Sequence, residues 1–229
     1  MTEPVPGMAA QLGRFHAAMA AGGQRYGWKV AFNDPAVQQR FGLAAPPVGW
    51  IDGRLAVGSG AAVSLRQGQR VHIEAEVMLH IGVDVSADAQ MEALRGAIAG
   101  VSPAIELVDY AIPGDGLAQI VEHSMFHAGT VVGERRRGIP ADASEALTRV
   151  LKNGEHAAST IAGRVPADLA EIVWLVAAAL EAHGERLLAG DRIICGSYIA
   201  PFPVAPGDAV IAEYGFGLGK VSVAFTGGD

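Results

Sequence analysis

The chain has 229 residues and one cysteine, Cys195. A single thiol excludes an intramolecular disulfide and fits a reducing compartment, so the expected location is the cytoplasm. Basic residues are also scarce: 17 Lys and Arg stand against 24 Asp and Glu, for a formal net charge of −7. With no stripe of Lys and Arg to release counterions from phosphates, a nucleic-acid or anionic-membrane partner is not expected. The only basic run, Arg135-Arg136-Arg137, reads as a solvated loop. Long apolar runs are missing as well. The longest, residues 172–180, falls far below the roughly 18 residues that span a bilayer and reads as a buried helix. The first 23 residues carry Glu3 and no early basic cluster, and Gln11, Arg14 and His16 interrupt their alanine-rich run. They read as a short amphipathic helix instead of a secretory signal. Repeats, low-complexity tracts and linkers are absent. The glycine-rich residues 215–219 lack phosphate-loop spacing and precede a strand.

Half of the residues are hydrophobic, with 30 Gly and 12 Pro, which implies a sizeable core cut by many turns. The expectation is one domain over residues 1–229, with a helical segment at 1–26 and a β-rich core at 27–229. Periodicity and turn residues predict helices at 7–21, 36–41 and 89–99, the last closed by Gly100, and a main helix opened by Pro166 and running to residue 182. Strands are expected at 28–32, 51–57, 71–81, 102–109, 129–133, 144–152, 155–160, 192–197, 209–214 and 220–225, with a two-residue hairpin at Asn153-Gly154. Many strands and few helices make an α+β fold.

Within the run Val71 to Leu79, Glu74 and Glu76 are two residues apart, so a strand places both carboxylates on one face. Glu106 sits in a second apolar stretch, Pro103 to Asp109. Converging acids need a cation, and an all-oxygen set favours Mg2+ or Mn2+ over zinc. The alternative is that Glu74 and Glu76 occupy the wet face of an edge strand with Ile73, Ala75 and Val77 inside. Asp109 reads as a turn or salt-bridge residue.

Several segments in order resemble the 2-keto-4-pentenoate hydratase branch of the fumarylacetoacetate hydrolase superfamily. They are Gly27-Trp28-Lys29-Val30 with Asp34 to Leu43, Ile73 to Val77, Pro103 to Asp109, Leu188 to Ile194, and Gly217 to Val223. The resemblance implies a mixed β-roll of the C-terminal-domain type with a few flanking helices, and a homo-oligomer. It assigns Glu74, Glu76 and Glu106 to metal ligation and Lys29 to the substrate, a small 2-oxo or 2-hydroxydienoic acid chelated through its carboxylate and 2-oxo oxygens. The implied activity is that of a metal-dependent hydratase, a lyase. Lys29 taken without the motif would read as a solvated surface lysine.

The chain also departs from that pattern. A polar segment that positions water in such hydratases is replaced by His123-Ser124-Met125-Phe126. Decarboxylation, C–C hydrolysis or a repurposed non-catalytic role therefore stay open as alternatives. If residues 123–127 form a helical turn, His123 and His127 lie at i and i+4 beside Glu122, a spacing suited to a metal pair or to a carboxylate-oriented general base. Asp52 matches an acidic residue placed near the substrate in such enzymes, or else forms a hairpin turn with Gly53.

Overall fold

Residues 71–109 form the centre of the molecule. In the computed structural model, which describes residues 5–140 and 142–228, β5 (Val71–Ile81) and β6 (Ile98–Asp109) make a long antiparallel pair from Val71↔Asp109 to Ile81↔Ile98. Alternation sends Ile73, Ala75, Val77 and Leu79 of β5, with Ile105 and Leu107 of β6, into the main core. Glu74 and Glu76 point to the opposite face. That face is covered too, and for this reason β6 reads as a nearly continuous apolar run with no wet side.

Around this pair a mixed sheet runs in the order β2-β1-β10-β5-β6-β7-β3, with β11 (Phe202–Pro203) added to β5. Its other members are β1 (Arg25–Val30), β2 (Val48–Asp52), β3 (Ala56–Gly58), β7 (His127–Val132) and β10 (Arg192–Ile194). A second sheet, ordered β4-β13-β12-β8-β9, contains β4 (Ala61–Leu65), β8 (Leu147–Lys152), β9 (Glu155–Ala158), β12 (Ala209–Tyr214) and β13 (Gly219–Gly227). Its Val210, Ala212, Val221, Val223 and Phe225 share the main core with the first sheet.

Five helices flank the sheets among the described residues: α1 (Met8–Ala20), α2 (Pro35–Phe41), α3 (Met91–Ala97), α4 (Leu117–Glu122) and α5 (Ala170–Glu181). The buried Gln11 of α1 donates to the carbonyls of Val48 and Val121, tying the helix to β2 and to the end of α4. In α2, Asp34 accepts from the Ala36 amide and Pro35 occupies the first turn, a sound start for a short helix.

The α+β expectation and the hairpin at Asn153-Gly154 match the structure, the latter with φ of 54° and 84°. Several boundaries differ. Helix α3 stops at Ala97 and passes directly into β6, so Gly100 is a strand residue and not a cap. Helix α5 begins at Ala170, where Asp168 accepts from its amide, and not at Pro166. The expected strand at 51–57 is split by a 3-10 turn, Gly53–Leu55, and β3 leaves to pair in parallel with β7. Helix α4 and strand β4 carried no sequence expectation. Asp109 does serve a turn, accepting from the amides of Arg70 and Ala111.

Candidate active site

Strand registers bring the charged residues together. Glu74 lies directly across from Glu106, and Glu76 is one repeat further along the same face. Lys29 arrives from β1 through β10, since Lys29 pairs with Ile194 and Ile194 with Met78, again on the carboxylate face. Carboxylate oxygens of Glu74, Glu76 and Glu106 all lie within 4.8 Å of one another. Lys29 is 1% exposed and its Nζ donates to Glu106 Oε1 at 2.5 Å and to the Met125 carbonyl at 3.4 Å. Glu76 accepts from the Gly196 amide at 2.7 Å. Gly49, opposite Lys29 on β2, leaves room for the lysine stem; a Cβ there would lie 3.0 Å from Lys29 Cγ and 2.9 Å from Met125 Cε.

The electrostatics show an excess of negative charge around one buried ammonium. Burial raises the Glu74 carboxyl to about 7, helped by the charge of Glu106 and opposed by Lys29 and Arg164. Burial, then the charges of Glu106 and Glu74, push Glu76 well above the usual carboxylate range. Glu106 behaves oppositely: burial works against its charge, but Lys29 and a hydrogen bond from His127 outweigh it and hold the carboxyl low. Burial likewise opposes the Lys29 charge, and Glu106 and Glu74 overcome it and hold the ammonium up. Glu106 Oε2 is buried without a partner. Three close acids, one of them with an orphaned oxygen, fit a hard divalent cation, which would supply the missing positive charge.

Glu74 and Glu76 open into a cavity of about 200 Å³ whose wall also includes Lys29, Tyr110, Phe126 and Arg164. Burial, then Glu74 and Glu106, raise the Tyr110 phenol to about 12, so it remains a protonated donor at neutral pH. Arg164 donates to the Ile199 carbonyl and to Asp34, while its Nε is buried and unpartnered.

Asp52 and His123 lie elsewhere. Asp52 is buried, accepts from the Arg54 amide and guanidinium, and caps the 3-10 turn after β2. Arg54 and the Arg54 and Gln24 amides overcome the burial penalty and hold its carboxyl low. It lines a second cavity of about 350 Å³, together with His123 and His127, and not the cavity of Glu74 and Glu76. The expectation of Asp52 beside the substrate is therefore corrected: its carboxylate is committed to Arg54 and the turn. The helical spacing of His123 and His127 is corrected as well. Ser124, Met125 and Phe126 have φ of 49°, 48° and 67°, a left-handed run that no right-handed turn can contain. His127 emerges from it with Nδ1 2.7 Å from Glu106 Oε1, and His123 stays on the second cavity. Sequence reasoning gave His127 only as a helical partner and did not single out Tyr110 or Arg164. Neither carries a local signal, because each reaches the cavity from a loop.

Fold and site together define a mixed-sheet roll with a buried, all-oxygen pocket suited to a hard divalent cation. The chain belongs to the fumarylacetoacetate (FAA) hydrolase C-terminal family, whose profile matches residues 26–225. It is 28% identical over 216 residues to the TodF product hydratase of Pseudomonas putida, covering 91% of this chain and 79% of that protein. It is 29% identical over 216 residues to 2-hydroxyhexa-2,4-dienoate hydratase of Comamonas testosteroni, with 90% and 80% covered. Among solved structures it resembles 4-oxalocrotonate decarboxylase from Pseudomonas putida G7 complexed with calcium and acetate. The TM-score is 0.84 at 25% identity, over 95% of this chain and 84% of that one.

Proposed function

We propose that the chain, with residues 1–229 as one catalytic domain, is a metal-dependent hydro-lyase acting on a small 2-oxo or 2-hydroxydienoic acid. The observation that carries this reading is the convergence of Glu74, Glu76 and Glu106 beside the buried Lys29. The names of the hydratase relatives support the reaction, and the calcium in the 25%-identical neighbour supports a hard divalent ion. In this reading Glu74, Glu76 and the free Oε2 of Glu106 hold Mg2+ or Mn2+, which supplies Lewis acidity toward the carboxylate and 2-oxo oxygens of a chelating acid.

The chain's own groups do the rest. Lys29, kept charged by its acidic neighbours, stabilises negative charge that develops on the substrate's 2-oxygen and can deliver a proton as the dienol ketonises. Tyr110 offers a hydroxyl donor at the cavity wall, and Phe126 with Val108 provides apolar surface for an unsaturated tail. A lone thiol and the absence, among the described residues, of any helix long and apolar enough to cross a membrane are compatible with a cytoplasmic enzyme. A homo-oligomer, implied by the family resemblance, is part of the same reading.

A second outcome at the same centre is decarboxylation. It is favoured by the apolar Met125 and Phe126 on the cavity wall, where such hydratases keep a polar strip, and by 26% identity to a 4-oxalocrotonate decarboxylase of Pseudomonas putida.

Calorimetry with Mn2+, with and without oxalate, tests the centre. Wild type should bind, oxalate should tighten binding, and Glu76→Ala should abolish it; no binding to wild type would remove the reading. Incubation with 2-oxo and 2-hydroxydienoic acids then separates the two reactions by release of carbon dioxide. Lys29→Met should lower kcat/KM by about two orders of magnitude or more.

A further inference from the structure

The carboxylate of Glu106 is divided between two tasks. Its Oε1 receives both Lys29 Nζ, at 2.5 Å, and His127 Nδ1, at 2.7 Å, while Oε2 is buried with no protein partner. A carboxylate paired with an ammonium accepts only, so Nδ1 of His127 must carry the hydrogen and donate it. Two donors on one oxygen fix the rotation of the carboxyl group and leave the other oxygen as the only one free to ligate. Lys29 alone would not fix it, since a single ammonium could serve either oxygen.

Two local features bring His127 here, and both lie in this chain's own backbone. Strands β6 and β7 pair Glu106 with Thr130 and Leu107 with Gly129, but then Val108 with His127, so Ala128 is an extra residue in the ladder. In a regular ladder Ala128 would face the glutamates and His127 would point to the other side. The bulge reverses the alternation and re-aims the imidazole onto the carboxylate face. Immediately before it, the left-handed run Ser124–Phe126 carries the chain into β7, and Lys29 holds that run through the Met125 carbonyl. The His127 side chain is 4% exposed. Its Nε2 makes no hydrogen bond with the protein, and the residue borders the second cavity with Asp52 and His123.

We propose that His127 is a positioning residue that, by donating from Nδ1 to Oε1 of Glu106, presents Oε2 as a single, pre-oriented ligand to the divalent cation. The proposal rests on the metal-centre reading above and adds a residue to it. Orienting partners of this kind alter metal affinity by roughly ten- to a hundredfold when removed. The imidazole is therefore a determinant of metal binding and not only a filler between two cavities.

The test compares wild type, His127→Ala, His127→Asn and His127→Gln by Mn2+ calorimetry, with thermal melts of the metal-free proteins alongside. An asparagine amide reaches the place of Nδ1, whereas a glutamine amide extends toward the place of Nε2. The expected result is Mn2+ binding weakened about ten- to a hundredfold in the Ala and Gln variants and retained within about threefold in the Asn variant, with no parallel ranking in the melts. Equal Mn2+ affinity in wild type and the Ala variant would overturn the proposal. So would an Asn variant as weak as Ala, or affinities that follow the melting temperatures. If the Ala variant does not fold, the Asn and Gln pair decides in the same way. Failure of wild type to bind Mn2+ would instead overturn the metal-centre reading, and this assignment with it.

Discussion

Glu74 shows what the crowding of acids costs. Its carboxyl titrates at about 7, above the ordinary 4.5, because burial and the Glu106 charge favour the protonated form. The folded chain thus holds a proton that the unfolded chain has released. The stabilisation from this group is complete below the ordinary range and is lost as pH rises from about 4.5 to about 7. On this account the metal-free protein should melt at progressively lower temperature across that window, and Glu74→Gln should flatten the trend. A melt series in which the variant keeps the full slope would place the responsible charge elsewhere. Mn2+ needs the ionised carboxylate, so its affinity should rise over the same window, which calorimetry at several pH values reads directly.

Elements rather than single residues decide how the site is closed. The left-handed segment Ser124–Phe126 puts three successive non-glycine residues in a region that costs roughly 1–2 kcal/mol each. Ser124 is buried, its hydroxyl has no protein partner, and a Cβ at Gly49 would lie 3.2 Å from its Cβ. Ser124→Gly removes the steric cost of φ 49° and the unsatisfied hydroxyl, against the greater flexibility of glycine when unfolded. The net expectation is a protein more stable by about 1 kcal/mol in urea denaturation. Turnover should fall, because the segment that delivers His127 is loosened. A destabilised variant would mean that the segment is not strained.

Across the whole molecule the central sheet keeps its two faces separate. Ile105 and Glu106 are neighbours in sequence but point to opposite sides, the first into the main core and the second into the charged pocket. Ile105→Ala should therefore cost about 2–5 kcal/mol of stability while leaving Mn2+ affinity of the folded protein within about threefold. Denaturation and calorimetry on one preparation check both halves. A large loss of metal affinity would show that packing on one face sets ligand geometry on the other.

The pair Glu74 and Glu76 was legible in the chain because a strand's two-residue alternation is local: the two must share a face wherever that strand lies. Lys29 was legible only through its motif, since nothing in Gly27-Trp28-Lys29 requires a buried ammonium. Asp52 was misplaced because the chain does not say that Arg54, two residues on, would take its carboxylate. His127 and His123 were misread as one helical face because a left-handed run of serine, methionine and phenylalanine is against local preference and is maintained by its surroundings, among them Lys29. Arg164 and Tyr110 reach the cavity from loops. Alternation and composition thus settle the fold class and the pair of acids. Strand register, one bulge and the order of strands across the sheet decide which donor meets which carboxylate, because those contacts join residues far apart in sequence, 120 positions for Gly196 and Glu76, and no local periodicity encodes them.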